Sequence, residues 1–238
     1  MITKNQIKLI KSLASKKNRS KHQLFVVEGK KNVAELLTSD YKIDSLFATN
    51  EWMCENSNID AVRVSNAELE RISNQKNPNE VLALVKINSC QIPSDVGLRL
   101  VLDDISDPGN MGTIIRMCDW FDVSTIICST NTVDIYNPKV VQSTMGSIFR
   151  VTVFYTELSE YLKGVKSPIY GAYMDGMSVR DISFPKDLLL VMGNEANGIR
   201  KENSQLIEKK VKIEHVGNKI DSLNVAVATS ILLHEICN

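Results

Sequence analysis

The sequence predicts an α/β protein with a mostly parallel sheet, and three observations carry that prediction. Apolar stretches of strand length alternate with segments of helical periodicity along the chain. Two of the strand-length stretches, Leu98–Leu102 and Leu188–Met192, are strongly apolar, as strands buried on both faces are. The last helical segment, Leu223–Ile236, is apolar on most sides, so it belongs in a core or against a second subunit. With 238 residues, 43% of them hydrophobic, the chain can build one large domain or two modest ones.

Taken in order, Ile2, Ile7, Leu9, Ile10 and Leu13 fall at helical spacing with lysines between them, which predicts a basic helix over Ile2–Ala14. Leu24–Val27 predicts a short strand ending at Glu28-Gly29, then a helix turning Val33, Ala34, Leu36 and Leu37 inward. Ser45–Ala48 and Val62–Val64 predict strands, and Ser65 with Glu68 forms a capping box opening a short helix. The β-branched run Val81–Ile87 predicts the strand that completes a small α/β domain over residues 1–90. Asn88–Gly97 mixes Ser, Pro, Asp and Gly without periodicity, which places a linker there and a second domain over residues 97–238. In that domain Leu98–Leu102, Thr125–Cys128, Val151–Phe154, Ile169–Ala172, Leu188–Met192 and Val211–Ile213 predict strands, with helices over Asn110–Phe121 and Leu223–Ile236.

Charge is balanced overall, 28 basic against 28 acidic residues, but it is unevenly distributed. The first 31 residues hold Lys4, Lys8, Lys11, Lys16, Lys17, Arg19, Lys21, Lys30 and Lys31 against Glu28 alone, leaving 19 basic and 27 acidic residues elsewhere. A basic arm on an acidic body fits a local footprint for a polyanion, with Lys11, Lys16, Lys17 and Arg19 as phosphate contacts. A solvated helix face is the other reading. Cys54, Cys90, Cys118, Cys128 and Cys237 form no C-x-x-C pair and the three histidines are scattered, so no metal is expected. Free thiols in a reducing cytoplasm are the plain reading. The lysine-rich start is no signal peptide, and no apolar run is long enough to span a membrane.

Three segments carry the chemistry, each where an apolar strand stops and open α/β sheets bind ligands. In Asp107–Arg116, Pro108 and Gly109 make a turn, Asn110 is a natural N-cap, and Arg116 sits among Ile114, Ile115 and Met117. An arginine buried there needs an anionic or carbonyl partner, which a structural ion pair would also supply. Gly193–Gly198 leaves Glu195 at a strand end. It is no P-loop, because Ile199-Arg200 follows where Lys and Ser or Thr are required. In Asp221-Ser222-Leu223-Asn224, either Asp221 or Ser222 can cap the last helix, leaving Asn224 as a buried amide that demands partners. No G-x-G-x-x-G or G-x-S-x-G appears, which disfavours dinucleotide oxidoreductases and α/β hydrolases.

Together and in this order, the three segments resemble the motifs of the SpoU (TrmH-like) branch of the SPOUT RNA methyltransferases, over roughly residues 98–238. The resemblance implies a SPOUT-type, mostly parallel sheet with helices on both faces and a deep trefoil knot. It also implies a homodimer formed partly by the final helix. It implies methyl transfer from S-adenosylmethionine to a ribose 2′-hydroxyl of structured RNA, with ribosomal RNA favoured over transfer RNA. Gly193, Ile213 and Leu223 would hold the donor, and Asn110, Arg116, Glu195, Ser222 and Asn224 would surround the acceptor ribose. Neutralising a guanidinium at neutral pH costs roughly 9 kcal/mol, so Arg116 reads as a positioning and electrostatic group, not as a base. The proton would leave late, to phosphate or water. Phe25–Gly29 resembles the start of the family's ribosomal-protein-like RNA-binding domain, and Lys139–Arg150 its substrate-facing segment. Two departures stand out: Gln142 where an arginine is common, and Glu214-His215 where Pro and Met are usual. An RNA-binding paralogue without methyl transfer is the alternative, distinguished by loss of donor affinity.

Overall fold

The computed structural model describes residues 2–88, 94–217 and 222–238. Its elements are α1 (Lys4–Ser12), α2 (Lys16–His22), β1 (Leu24–Glu28), α3 (Lys30–Leu37), β2 (Ile43–Ala48), α4 (Asn50–Glu55), β3 (Val62–Arg63), α5 (Asn66–Ile72) and β4 (Val81–Lys86). There follow β5 (Leu98–Leu102), α6 (Pro108–Trp120), β6 (Thr125–Ser129), α7 (Pro138–Thr144), β7 (Thr152–Thr156), α8 (Leu158–Gly164) and β8 (Ile169–Ser178). The last are β9 (Leu188–Met192), α9 (Lys201–Ser204), β10 (Lys209–Lys212) and α10 (Val225–Cys237). They form two compact units, Met1–Ser89 with Asp134–Phe149, and Cys90–Val133 with Arg150–Asn238. Part of the expected linker, with Cys90, and the candidate cap Asp221 lie outside the described residues.

The first unit is built on a mixed four-stranded sheet of order β1-β4-β2-β3, in which β4 runs antiparallel to both β1 and β2. Thr3 starts α1 with a capping box. Its hydroxyl accepts from the Gln6 N–H at 3.2 Å, and Gln6 Oε1 accepts from the Thr3 N–H at 2.8 Å. The predicted stripe then buries Ile10 and Leu13 against Leu24, Phe47, Leu69, Ile72 and Leu82. Ser65 and Glu68 make the second capping box, as expected.

Helix α2 has no apolar stripe and is anchored by a charge. Arg19 is buried, donates from Nη1 to the carbonyls of Leu13 and Ala14, and pairs from Nη2 with Asp134 at 2.6 Å. Lys11 Nζ donates to the Ser73 carbonyl at 2.6 Å. Arg19 is thus committed internally, correcting its reading as a phosphate contact, whereas Lys11, Lys16, Lys17 and Lys21 are exposed. The segment Asp134–Phe149 packs within this unit. Tyr136 lies on Phe25 with ring centroids 4.5 Å apart, and Phe149 meets Tyr41 at 5.2 Å. Gln142 Oε1 accepts from Asn32 Nδ2 (3.2 Å) and Gln75 Nε2 (2.7 Å). An arginine there could not accept these bonds.

The second unit carries a six-stranded parallel sheet of order β10-β8-β9-β5-β6-β7. β5 and β9 form its centre at the bounds the sequence predicts, and every residue of β9 is buried. From β5 the chain steps outward to β6 and β7, then crosses to build β8, β9 and β10 on the other side. The β5–β9 junction is therefore the switch point, and a crevice opens at the carboxyl ends of the strands there. Leu158 and Leu162 of α8 cover one face, over Val101, Ile127, Ile169, Leu189 and Val191. Helices α6 and α10 pack on each other. Burial pushes the thiols of Cys118 and Cys128 up. No helix among the described residues is long and apolar enough to cross a membrane, and no group of His, Cys, Asp or Glu there could hold a metal ion.

Candidate active site

Three turns bring the polar residues together, two of them at the carboxyl ends of the central strands β5 and β9 and the third before α10. After β5, Asp107 is the N-cap of α6 and accepts from the Asn110 N–H at 2.8 Å. Pro108 fills the first helical position, where its missing N–H costs nothing. Asn110 is therefore inside the first turn and not the cap, so its amide is free to point outward. After β9, residues Asn194 and Gly198 pair through two backbone bonds of 3.0 and 2.8 Å, closing a tight hairpin with Glu195 on it. Only glycine fits at its base: a Cβ on Gly193 would stand 2.2 Å from the Gly198 carbonyl carbon. Gly198 itself has φ of 67°, the left-handed region that favours glycine.

The last turn precedes α10. Asn224, not Ser222, is the N-cap, and the helix starts two residues later than predicted. Asn224 Oδ1 accepts from the N–H groups of Ala226 (3.0 Å) and Val227 (3.3 Å). Its Nδ2 donates to Asn110 Oδ1 at 3.0 Å, and Asn110 Nδ2 donates in turn to Glu195 Oε1 at 2.5 Å. The expected buried amide is an exposed one, partnered by a relay that joins three segments. Each donor in it polarises the next bond toward the carboxylate.

Beside the relay lies a cavity of about 710 Å³, lined by Gly193, Asn194, Glu195, Ile213, Ser222 and Leu223 among others. Such a volume lies in the ordinary range for small-molecule sites, roughly 300–1,000 Å³. Tyr173 and Met174 form part of the wall because β8 runs on to Ser178, past the predicted end at Ala172. Asp175 and Gly176 interrupt the apolar run there and hide the length of the strand. Val225, Ala228 and Leu232 of α10 close another side. Glu214 and His215 also line the cavity, and Lys212 Nζ stands 3.8 Å from Glu214.

Arg116 is not brought into this cluster. It lies on the exposed face of α6, without a hydrogen bond or ion pair among the described residues. The apolar neighbours Ile114 and Ile115 turn inward and Arg116 turns out, so the expected internal partner is absent among the described residues. Trp120, one turn on, is 80% exposed. Arg150, at the end of the segment read as substrate-facing, is held by Asp119 through Nε (3.0 Å) and Nη2 (2.8 Å).

The sequence matches the model of the SpoU rRNA Methylase family over residues 97–234, and the MRM3-like substrate binding domain over residues 4–83. The 23S rRNA (guanosine(2553)-2′-O)-methyltransferase RlmP of Bacillus subtilis is 28% identical, covering 98% of this chain and 96% of that protein. A TrmH-family structure from Porphyromonas gingivalis superposes with a TM-score of 0.91 at 35% identity, covering 99% and 98% of the two chains. An rRNA methyltransferase from Sinorhizobium meliloti with AdoMet bound gives a TM-score of 0.87 at 28% identity, covering 99% and 95%. With its model matched across more than half of the residues, on a parallel sheet whose strand ends carry the family's three segments, the chain belongs to the SpoU rRNA methylase family.

Proposed function

We propose that this protein transfers a methyl group from S-adenosylmethionine to a ribose 2′-hydroxyl of ribosomal RNA. The observation that carries the reading is the Asn224–Asn110–Glu195 relay standing on the rim of the cavity at the switch point. The cavity suits the donor: it has apolar walls for an adenine and a thioether chain, and the Gly193–Gly198 turn forms part of its lining. Gly193, Ile213 and Leu223 would hold it. When bound, the donor supplies a methyl group made electrophilic by its sulfonium. Glu195 and Glu214 place carboxylates on the wall, which favour a cationic ligand over a product carrying one positive charge less. Asn110, Ser222 and Asn224 offer hydrogen-bonding groups that fix the ribose in line with the transfer. Arg116 keeps its proton and supplies an exposed cation for a backbone phosphate. The hydroxyl proton then leaves to phosphate or water.

Residues 1–90 serve as the RNA-binding domain, with the exposed lysines of α1 and α2 facing phosphates, and residues 97–238 as the methyltransferase domain. RlmP, a 23S rRNA methyltransferase by name, supports ribosomal over transfer RNA. The enzyme works as a homodimer, with the exposed Trp120, Leu223 and Val227 on and beside α6 and α10 as candidate contacts. The trefoil knot implied by the family belongs to the same reading, as does a cytoplasmic location, in keeping with four free cysteines among the described residues. Calorimetry with S-adenosylmethionine and S-adenosylhomocysteine tests it, alongside 2′-O-methyl mapping of total RNA from a deletion strain and its parent. Binding of both ligands and loss of one ribosomal site are expected. Saturable RNA binding with no donor affinity would leave the paralogue without methyl transfer in its place.

A further inference from the structure

A buried carboxylate behind the Glu195 hairpin has no part in the cavity or the relay. Asp103 directly follows β5 and is wholly excluded from solvent. Its N–H donates to the Met192 carbonyl at the end of β9 (2.9 Å). Its Oδ2 accepts from the Arg200 N–H and from Asn203 Nδ2, both at 2.8 Å, and its Oδ1 accepts from Arg200 Nε at 2.7 Å. All three donors come from the segment that follows the hairpin, two from Arg200, the N-cap of α9, and one from Asn203 within that helix. Next in sequence, Asp104 has φ of 59°, a conformation that residues with a Cβ rarely adopt. Its carbonyl accepts from Asn194 Nδ2 at 2.8 Å, at the entry of the hairpin. Ser129 Oγ steadies it, accepting from the Asp104 N–H (2.9 Å) and donating to Oδ1 (2.8 Å).

The hairpin's two cross-bonds close it upon itself, but they do not attach it to the sheet. Attachment comes from Asp103 and Asp104 at its two ends and from Asn110 at Glu195. A buried ion pair is weak evidence of stabilisation, since apolar packing of equal volume does as well or better. Here Arg200 Nη2 and Asn203 Oδ1 are even left without hydrogen-bond partners among the described residues. What such a pair supplies is direction. We infer that Asp103 is a positioning residue for methyl transfer, gripping Arg200 and Asn203 so that the hairpin presents Glu195 to Asn110. This rests on the reading of Glu195 as part of the reaction site.

The test is a double-mutant cycle between Asp103→Asn and Glu195→Gln, reading turnover, donor affinity and melting temperature. Asp103→Asn keeps the shape and removes the nearest of the three carboxylates that face Arg200, leaving Asp104 at 3.7 Å and Glu202 at 3.6 Å. Turnover should fall about tenfold in the native background and less than about twofold in the Glu195→Gln background, because both changes act through one group. Equal losses in the two backgrounds would make Asp103 a general structural residue and overturn the inference. Full turnover of Glu195→Gln alone would instead remove Glu195 from the site, and with it the reading beneath. Should Asp103→Asn fail to fold, Arg200→Lys takes its place, keeping the charge and losing the Nε donor. The same coupling is expected of it, and an additive loss overturns the inference.

Discussion

At the scale of single residues, Arg116 and Asn224 separate catalysis from folding in different ways. Arg116 is exposed and makes no hydrogen bond or ion pair among the described residues that would stabilise the fold. Arg116→Ala should therefore leave the melting temperature nearly unchanged, as surface substitutions do. Turnover should fall about a hundredfold, the loss of roughly 3 kcal/mol of transition-state interaction. Arg116→Lys should recover little, because a point charge lacks the planar fork. Unchanged specific activity in Arg116→Ala would remove it from the site. Asn224 does two jobs with the two ends of one amide, capping α10 through Oδ1 and donating to Asn110 through Nδ2. Asn224→Ala should cost about 1 kcal/mol of stability as well as activity. Asn224→Ser restores a capping oxygen without the amide donor, so melting should recover while turnover stays low. If both recover together, the bond to Asn110 has no catalytic weight.

At the scale of elements, α2 shows how charge alone can misdirect. Its first turn holds Lys16 and Lys17 and no acid, which opposes the helix dipole. Gln at Lys16, Lys17 and Lys21 should leave stability intact. For every lysine that no longer meets a phosphate, the salt dependence of RNA binding should flatten by about 0.7–0.9 in log–log slope. An unchanged slope would make the arm a solvated surface. Arg19→Gln should behave oppositely: it leaves Asp134 without its buried partner and destabilises by about 3 kcal/mol. Apolar character distinguishes the strands well, since β9 is uniformly apolar, β5 is apolar but for Arg99, and both are bounded by turn residues. The short helices α2, α4 and α7 are not legible in the sequence, because none presents an apolar stripe of three turns. Of the site, the sequence exposes the residues at the three strand ends but not their division of labour. Asp107, Asn110, Ser222 and Asn224 are all competent caps, and only the backbone path decides which of them caps and which is left to reach across.

At the scale of the whole molecule, Trp120, Leu223 and Val227 on one unit predict self-association. Sedimentation should find a dimer at micromolar concentration, and Trp120→Glu with Val227→Glu should yield a monomer of lowered turnover. A monomeric wild type with full activity would contradict that interface. The segment Asp134–Phe149 bears on a different property, the order in which the protein can be made. It sits between β6 and β7 in the chain, yet it belongs to the unit that begins at the N-terminus, supplying Asp134 to Arg19 and Tyr136 to Phe25. A ribosome that has released only residues 1–89 has therefore emitted a unit still lacking the acid for its buried arginine and the ring that covers Phe25. The first part of the chain to emerge must wait for its middle, with two strands of the second unit already synthesised before the first can close.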